Sequence, residues 1–129
     1  MQKLKSSGSE EKFATGAVRD TATDKPRPDL ISPFFKMRVG AWLQAGAVRY
    51  APRNWEKGIG IERCFASLER HLVQWQLGMD DEDHLAAAAC NLMFIIHNEE
   101  AVKHGILPPE IDNMPKYLKK KVEAGSATT

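Results

Sequence analysis

The chain has 129 residues, a formal net charge of +1 and an ordinary share of apolar residues, which is the composition of one soluble globular domain, with or without tails. A charge so close to zero gives no bulk attraction for a nucleic-acid polymer or a membrane surface. We expect no transmembrane helix, because no apolar run approaches the roughly 20 residues that a span needs. The N-terminal lysines precede no apolar segment, so we expect no secretory signal.

The two cysteines, Cys64 and Cys90, lie inside predicted helices and do not form a CxxC pair. Two separated cysteines of this kind do not indicate a disulfide framework, and they fit a reducing compartment. We therefore expect the protein in the cytoplasm.

Residues 1–28 are rich in Ser, Thr, Gly, Lys and Glu, and we expect a mobile or extended arm there, because this composition buries little apolar surface. Residues 15–20 (TGAVRD) differ in composition from the rest of this arm. They either belong to the linker or fold over a site. No segment of the chain has a clear strand pattern. The remainder predicts one helical domain over residues 29–123 and a disordered tail over residues 124–129.

Three main helices are predicted. The first begins at Ser32-Pro33, because serine is a good cap and proline suits the first helical position, and it ends at about Tyr50. The second runs from about Ile61 to Leu77 before Gly78. It has an apolar stripe at three- and four-residue spacing, formed by Phe65, Leu68, Leu72 and Trp75.

The third helix is expected to start within the acidic residues 80–83 and to extend to about Lys103. Residues 85–96 are apolar all round except for Asn91, and a helix of this kind is buried on most sides. Three helices make a thin core for a monomer, so the pattern predicts burial against a partner subunit. Pro108 and Pro109 are expected to start a short C-terminal helix that ends near residue 123.

The acids of residues 80–83 invite two interpretations. They either cap the third helix and remain solvated, or they bind a divalent cation. Glu82 and Asp83 are placed in the first turn of the helix, from which they reach the cleft between the second and third helices. A magnesium-type site needs only one or two carboxylates together with substrate phosphates and water.

A polar seam of Ser67, His71 and Gln74 follows the second helix beside its apolar stripe. His71 is either a buried histidine satisfied by a backbone carbonyl or a functional group that acts together with Arg70. His84 and Asn91 lie seven residues apart and share one face of the third helix. Asn91 needs a polar partner, which could be a helix carbonyl, a partner chain or a nucleobase edge.

An aromatic and cationic cluster follows the first helix. It is either a surface loop anchored by one tryptophan, or a site where arginines bind phosphate and an aromatic ring stacks on a base. Its members are Arg49, Tyr50, Arg53, Asn54 and Trp55. Glu62 and Glu69 lie seven residues apart on a largely polar face, where glutamates are more often solvated than bound to metal.

These segments together resemble a phage and prophage family of dATP/dGTP diphosphohydrolases, related to MazG-like all-α nucleoside triphosphate pyrophosphohydrolases and including MazZ proteins. The resemblance covers about residues 15–100. It rests on residues 15–20 (TGAVRD), 29–31 (DLI), 46–50 (GAVRY), 53–55 (RNW) and 70–71 (RH), then Trp75, Gly78, the acidic run, 84–85 (HL) and 91–92 (NL).

The resemblance implies an all-α, MazG-like fold: a bundle of three main helices plus a short C-terminal helix, completed by assembly as a homo-dimer or homo-tetramer. It implies Mg²⁺ or Mn²⁺ and the hydrolysis of a deoxypurine nucleoside triphosphate to the monophosphate and pyrophosphate. If the protein is phage-encoded, its compartment is the cytoplasm of the bacterial host.

The site residues expected on this basis fall into three groups. The metal ligands come from Glu69, Glu82 and Asp83, and the catalytic residues are Glu82, Asp83 and His71. The substrate-binding residues are Arg49, Arg53, Asn54, Trp55, Arg70, His84 and Asn91. The alternative is a protein that binds a nucleotide or second messenger without turnover, or an interaction protein on the same fold.

Overall fold

The computed structural model describes residue 4 and residues 8–119. Three α-helices dominate these residues, so the expected all-α fold is confirmed. The chain divides into two compact units, Met1–Ser32 and Pro33–Thr129. The helices, which all lie in the second unit, are α1 (Pro33–Arg49), α2 (Ile61–Gln76) and α3 (His84–Lys103).

A small antiparallel hairpin lies in the first unit, formed by β1 (Glu10–Lys12) and β2 (Val18–Asp20). The connecting turn includes Gly16, whose φ of 90° favours glycine. The expectation that the chain has no strands is therefore wrong. Each strand has only three residues, nearly all exposed, so there is no alternating apolar pattern that sequence reasoning could detect.

The helix ends agree with the sequence pattern except at the start of α3. Gly78 follows α2 with a φ of 83°, and Gly105 follows α3 with a φ of 72°. The helix α3 does not begin within the acidic run but directly after it, at His84. Asp83 is the N-cap rather than a first-turn residue, because its Oδ1 accepts a hydrogen bond from the backbone amide of Ala86 at 3.1 Å.

The expected short C-terminal helix is wrong over the residues that the structure describes. A 3₁₀ turn at Pro109–Ile111 is followed by non-helical chain as far as residue 119. Pro115 disfavours helix at Met114, because its ring clashes with the helical conformation of the preceding residue. Residues 120–123 and the expected tail over residues 124–129 lie outside the described residues.

The helix α3 is central, since it packs against both α1 and α2. Its buried side chains are mostly small, so neighbouring helices approach closely. The buried apolar residues of the described chain are Ile61, Cys64, Ala86, Ala87, Ala88, Cys90 and Ala101. Within the described residues, no helix is both long enough and apolar enough to cross a membrane.

The face that α2 turns inward is not its most apolar one. The side chains of Phe65, Leu72 and Trp75 are exposed, whereas Ser67 and His71 of the polar seam are partly buried. The small side chains of α3 leave room for this arrangement, and the hydrogen bonds described below satisfy the polar groups that it buries.

The N-terminus of α2 is capped from a distant part of the chain. Gly60 occupies the N-cap position without a side chain, and Asn113 Oδ1 instead accepts a hydrogen bond from the backbone amide of Glu62 at 2.8 Å. A Cβ atom on Gly60 would lie 2.9 Å from Asn113 Nδ2, so the glycine leaves room for this cap. The contact joins the C-terminal segment to the start of α2.

We expect Asn113→Ala to lower the free energy of unfolding by about 1 kcal/mol, because it leaves a helix amide without its acceptor. A loss of this size lowers the Tm of a chain of this length by about 4 °C. The matched control is Asn113→Asp, which keeps an acceptor at the helix N-terminus and should melt near the wild-type temperature. Equal melting of the alanine variant and the wild type would show that the cap contributes nothing.

Candidate functional site

Two histidines meet where α2 and α3 come together. His71 projects from α2 and His84 is the first residue of α3, and their Nδ1 atoms are 2.9 Å apart. His84 is only 2% exposed. Its other ring nitrogen, Nε2, lies 2.8 Å from Asp81 Oδ1. The three side chains form a continuous hydrogen-bonded chain from a solvent-exposed carboxylate to the cleft between the helices.

The hydrogen-bond partners assign the protons of this chain. The hydrogen bond from His84 lowers the pKa of Asp81, whose ionised carboxylate can only accept. His84 therefore donates through Nε2, and in its neutral form its Nδ1 accepts from Nδ1–H of His71. Burial lowers the pKa of His71, and the neighbouring His84 acts in the same direction. A neutral His71 keeps an unprotonated Nε2.

Glu82 completes this cluster. One ligand atom from each of His71, Glu82 and His84 lies within 4.8 Å of the other two. Two imidazoles and a carboxylate are all groups that bind divalent metal ions, so the side chains present fit such an ion. Glu69, an exposed residue of α2, is not a member of this group.

Asp83 has both of its carboxylate oxygens engaged with protein groups. Arg38 of α1 binds it in bidentate fashion, with Nε 2.9 Å from Oδ2 and Nη2 2.6 Å from Oδ1. The hydrogen bonds from Arg38 are the largest cause of the lowered pKa of Asp83. Asp83 thus ties α1 to the start of α3, and Glu82 is the acid of the run that shares the group of potential metal ligands with both histidines.

An aromatic cavity of about 570 Å³ opens between the end of α1, the loop after it and α3. Within its wall, Trp55 stacks on Phe94, with ring centroids 5.0 Å apart and planes 22° apart. Arg53 adopts a left-handed backbone conformation with a φ of 61°, which is uncommon for a residue other than glycine. The lining residues include Trp42, Gln44, Tyr50, Arg53, Asn54, Trp55, Glu56 and Phe94.

Trp42 belongs to the wall of the cavity and also contacts the histidine cluster. Its ring meets that of His71 edge-on, with centroids 5.9 Å apart and planes 78° apart. A single side chain therefore joins the aromatic cavity to the group of potential metal ligands.

A pair of arginines meets on the polar seam of α2. The hydroxyl of Ser67 accepts from Arg63 Nη1 at 2.7 Å and from Arg70 Nη2 at 3.1 Å. The positive charge of Arg70 also helps to lower the pKa of His71. Two guanidinium groups on one helix face beside the histidines produce a positive patch that suits an anion.

The other expected substrate-binding residues are less close together. Asn91 donates to the backbone carbonyl of Ala87 at 2.9 Å, which is the first of the partners considered for it, and it lines a separate cavity of about 200 Å³. Arg49 lies over the ring of Tyr50, 5.4 Å from its centroid, and is not among the residues that line the aromatic cavity.

Three residues of the site, Arg38, Trp42 and Arg63, were not considered as site residues from the sequence, and Asp81 was considered only as a member of the acidic run. The seven-residue spacing of Arg63 and Arg70 places them on one helix face, so this pair was detectable from sequence. The spacing of Asp81 and His84 is equally local. The contacts of Arg38 and Trp42 depend on the packing of α1, and no local pattern indicates them.

The fold and the site define an all-α protein in which an aromatic cavity adjoins potential metal ligands. Residues 15–105 match the family model described as dATP/dGTP diphosphohydrolase, N-terminal, and the chain belongs to this family. A dATP/dGTP diphosphohydrolase of Salmonella phage PMBT28 is 37% identical over 71 residues, which cover 51% of this chain and 24% of the phage protein. The chain thus spans about a quarter of that relative's length. No solved structure matches it significantly.

The Arg38–Asp83 pair should couple in a pH-dependent manner. Because the pKa of Asp83 is lowered in the folded protein, its stabilising contribution is complete above the ordinary value of about 3.9. That contribution disappears as the pH falls through the lower folded value. In a double-mutant cycle of Arg38→Gln and Asp83→Asn, we expect a coupling of up to about 1 kcal/mol at neutral pH, because the pair is partly exposed.

Urea unfolding of the four proteins in this cycle measures the coupling. Asparagine is used because it preserves the helix cap, so only the ion pair is removed. The coupling should shrink as the pH falls from about 4 to about 2. A coupling that stays constant over this range would contradict the assignment.

Proposed function

We propose that this protein is a divalent-metal-dependent pyrophosphohydrolase that converts a deoxypurine nucleoside triphosphate to the monophosphate and pyrophosphate. The observation that carries this proposal is the contact of Trp42 with both the aromatic cavity and His71. A nucleotide has an aromatic base at one end and a chain of phosphates at the other. The site offers matching surfaces on the two sides of one tryptophan.

The base would occupy the aromatic cavity. Its volume of about 570 Å³ lies within the ~300–1,000 Å³ of small-molecule sites. The rings of Trp42, Tyr50 and Trp55 offer flat apolar faces, and the amide groups of Gln44 and Asn54 offer donors and acceptors for the edge of a purine. The name of the phage relative supports dATP and dGTP as the substrates to test.

The phosphates would lie along the polar seam of α2. Arg63 and Arg70 supply positive charge there, and their shared hydrogen bonds to Ser67 hold the two guanidinium groups on the same face. Arginine binds phosphate oxygens through two parallel N–H groups, which fixes the orientation of a phosphate as well as its position.

A divalent cation, Mg²⁺ or Mn²⁺, would neutralise phosphate charge and lower the pKa of a bound water, which makes that water a nucleophile at neutral pH. Glu82 is the acid of residues 80–83 that lies with the histidines, and we assign it to the cation. Asp81 orients His84 through its hydrogen bond. Asp83 fixes the residue at which α3 begins, and so it fixes where its neighbours Glu82 and His84 lie.

The expected partners follow from this activity. The substrate is a free nucleotide, so neither a membrane nor a nucleic-acid polymer is required. The natural compartment is the cytoplasm, which for a phage-encoded protein is that of the bacterial host.

Incubation with each dNTP and Mg²⁺ or Mn²⁺ tests the proposal, with pyrophosphate and monophosphate measured separately. We expect turnover of dATP and dGTP, and a loss of at least about 10-fold in Glu82→Gln, because the variant removes a charged ligand. The matched control is Glu99→Gln, which changes an exposed glutamate of α3 distant from the cluster and should retain activity. Nucleotide binding without pyrophosphate release would instead select a non-catalytic nucleotide-binding protein.

The exposed apolar residues support a homo-oligomer, either a dimer or a tetramer. All three helices carry such residues, for example Phe34 of α1 at 83% exposure, Trp75 of α2 at 54% and Leu92 of α3 at 48%. Apolar surface of this extent is costly in water and typically covered by a partner. Light scattering should therefore give a mass that is a multiple of 14.4 kDa. A monomer at micromolar concentration would contradict the assembly.

A further inference from the structure

We propose that His71, His84 and Glu82 form a two-histidine, one-carboxylate site that binds a first-row transition ion such as Co²⁺ or Mn²⁺ in preference to Mg²⁺. The inference concerns ion binding, which can be measured without turnover. Only the role of the ion in hydrolysis rests on the proposed function.

The separation of the two nitrogens specifies the coordination geometry. The Nδ1 atoms of His71 and His84 are 2.9 Å apart. If both lie about 2.1 Å from one ion, the angle between the two bonds is about 90°. This is the angle between adjacent ligands of an octahedral ion, whereas a tetrahedral ion would need nitrogens about 3.4 Å apart.

Glu82 supplies the third ligand. One of its carboxylate oxygens lies within 4.8 Å of a ring nitrogen of each histidine, and the side chain is exposed, so it can close on the ion without rearrangement of the core. Three protein ligands leave three octahedral positions for water or phosphate oxygens. Two histidines and one carboxylate are the same donor set as in the facial triad of non-haem iron(II) sites.

The chemistry of the donors sets the preference among ions. Mg²⁺ is a hard ion that favours oxygen ligands and gives up its water reluctantly. Imidazole nitrogen binds first-row transition ions with an affinity that rises from Mn²⁺ to Co²⁺, and two of the three proposed ligands are imidazoles. An all-oxygen site drawn from Glu69, Glu82 and Asp83 would lead to the opposite preference.

Asp81 prepares His84 for this role. Because Asp81 accepts the proton of Nε2 at 2.8 Å, the lone pair of neutral His84 lies on Nδ1, the atom that faces His71. A carboxylate behind a metal-binding histidine fixes its tautomer and increases its basicity. When an ion binds, the proton that His71 carries on Nδ1 moves to its Nε2, and the ring remains neutral.

Isothermal titration calorimetry of the full chain with MnCl₂ and MgCl₂ tests the preference. We expect Mn²⁺ to bind on the order of ten-fold or more tightly than Mg²⁺. Glu82→Gln and His71→Gln should each weaken Mn²⁺ binding, and Asp81→Asn should weaken it about 10- to 100-fold. The control is His104→Gln, which changes an exposed histidine at the end of α3 and should bind Mn²⁺ as the wild type does.

Glu82→Gln is the decisive variant, since its side chain is exposed and its replacement does not disturb the core. Mn²⁺ binding that is unchanged in Glu82→Gln, or no tighter than Mg²⁺ binding in the wild type, would overturn the proposal.

The four histidines of the chain offer a second, independent readout. Along α3, His97 lies 13 positions from His84, about 20 Å away, and His104 lies farther still. Substoichiometric Mn²⁺ should broaden the NMR ring signals of His71 and His84 much more than those of His97 and His104. Equal broadening of all four would show non-specific binding and exclude the site.

Co²⁺ tests the geometry and separates the inference from the proposed function. Weak visible absorption is expected for six-coordinate Co²⁺, whereas intense bands would indicate a tetrahedral site and contradict the octahedral assignment. If the ion binds as expected but no dNTP is hydrolysed, the site stands and the proposed activity fails. If a dNTP is hydrolysed but Mn²⁺ does not bind at the histidines, the proposed activity stands and the proposed metal site fails.

Discussion

The arrangement of the site depends on one carboxylate, that of Asp83. It caps the first turn of α3 and binds Arg38 of α1 with both oxygens, so it fixes where the helix begins and which way it faces. His84 is the next residue, and its position against His71 follows from that start. A shift of one residue would rotate the side chains of α3 by about 100° and separate the two histidines.

The small side chains of α3 are the second constraint. Ala86, Ala87 and Ala88 follow His84 directly and are all buried. Because they occupy little volume, α2 lies close to α3, and the distance between the histidine rings is one at which a hydrogen bond forms. The same closeness leaves larger apolar side chains such as Trp75 on the outside. A core of this kind favours a polar site between helices but leaves apolar surface for a partner to cover.

The sequence predicts the helices well because their ends are set locally. Pro33 starts α1, and Gly78 and Gly105 end the other two helices with positive φ values. The start of α3 was mistaken because an acidic run suits both a cap and a first turn. The hydrogen bond from the Ala86 amide identifies Asp83 as the cap, and the pairing of Asp83 with Arg38, 45 residues away, is a contact that no local pattern reveals.

The candidate site was predictable to the same degree. The sequence alone identifies His71, His84 and Glu82 as candidate site residues, because polar groups beside an apolar helix need partners. Their mutual contact and the hydrogen bond to Asp81 require the three-dimensional structure. Trp42 is the clearest example, since it lies in an apolar stretch of α1 and has no polar motif around it.

The position of Trp42 also implies that the two halves of the site are not independent. Its ring lies in the wall of the aromatic cavity and meets His71 edge-on, so a displacement of the tryptophan would change the packing of that histidine. His71 is in turn hydrogen-bonded to His84, which Asp81 orients. A contact made inside the cavity can therefore reach the ring nitrogens of the cluster through one aromatic side chain. Coupling of this kind requires that the histidine have two arrangements whose equilibrium both parts of the site change.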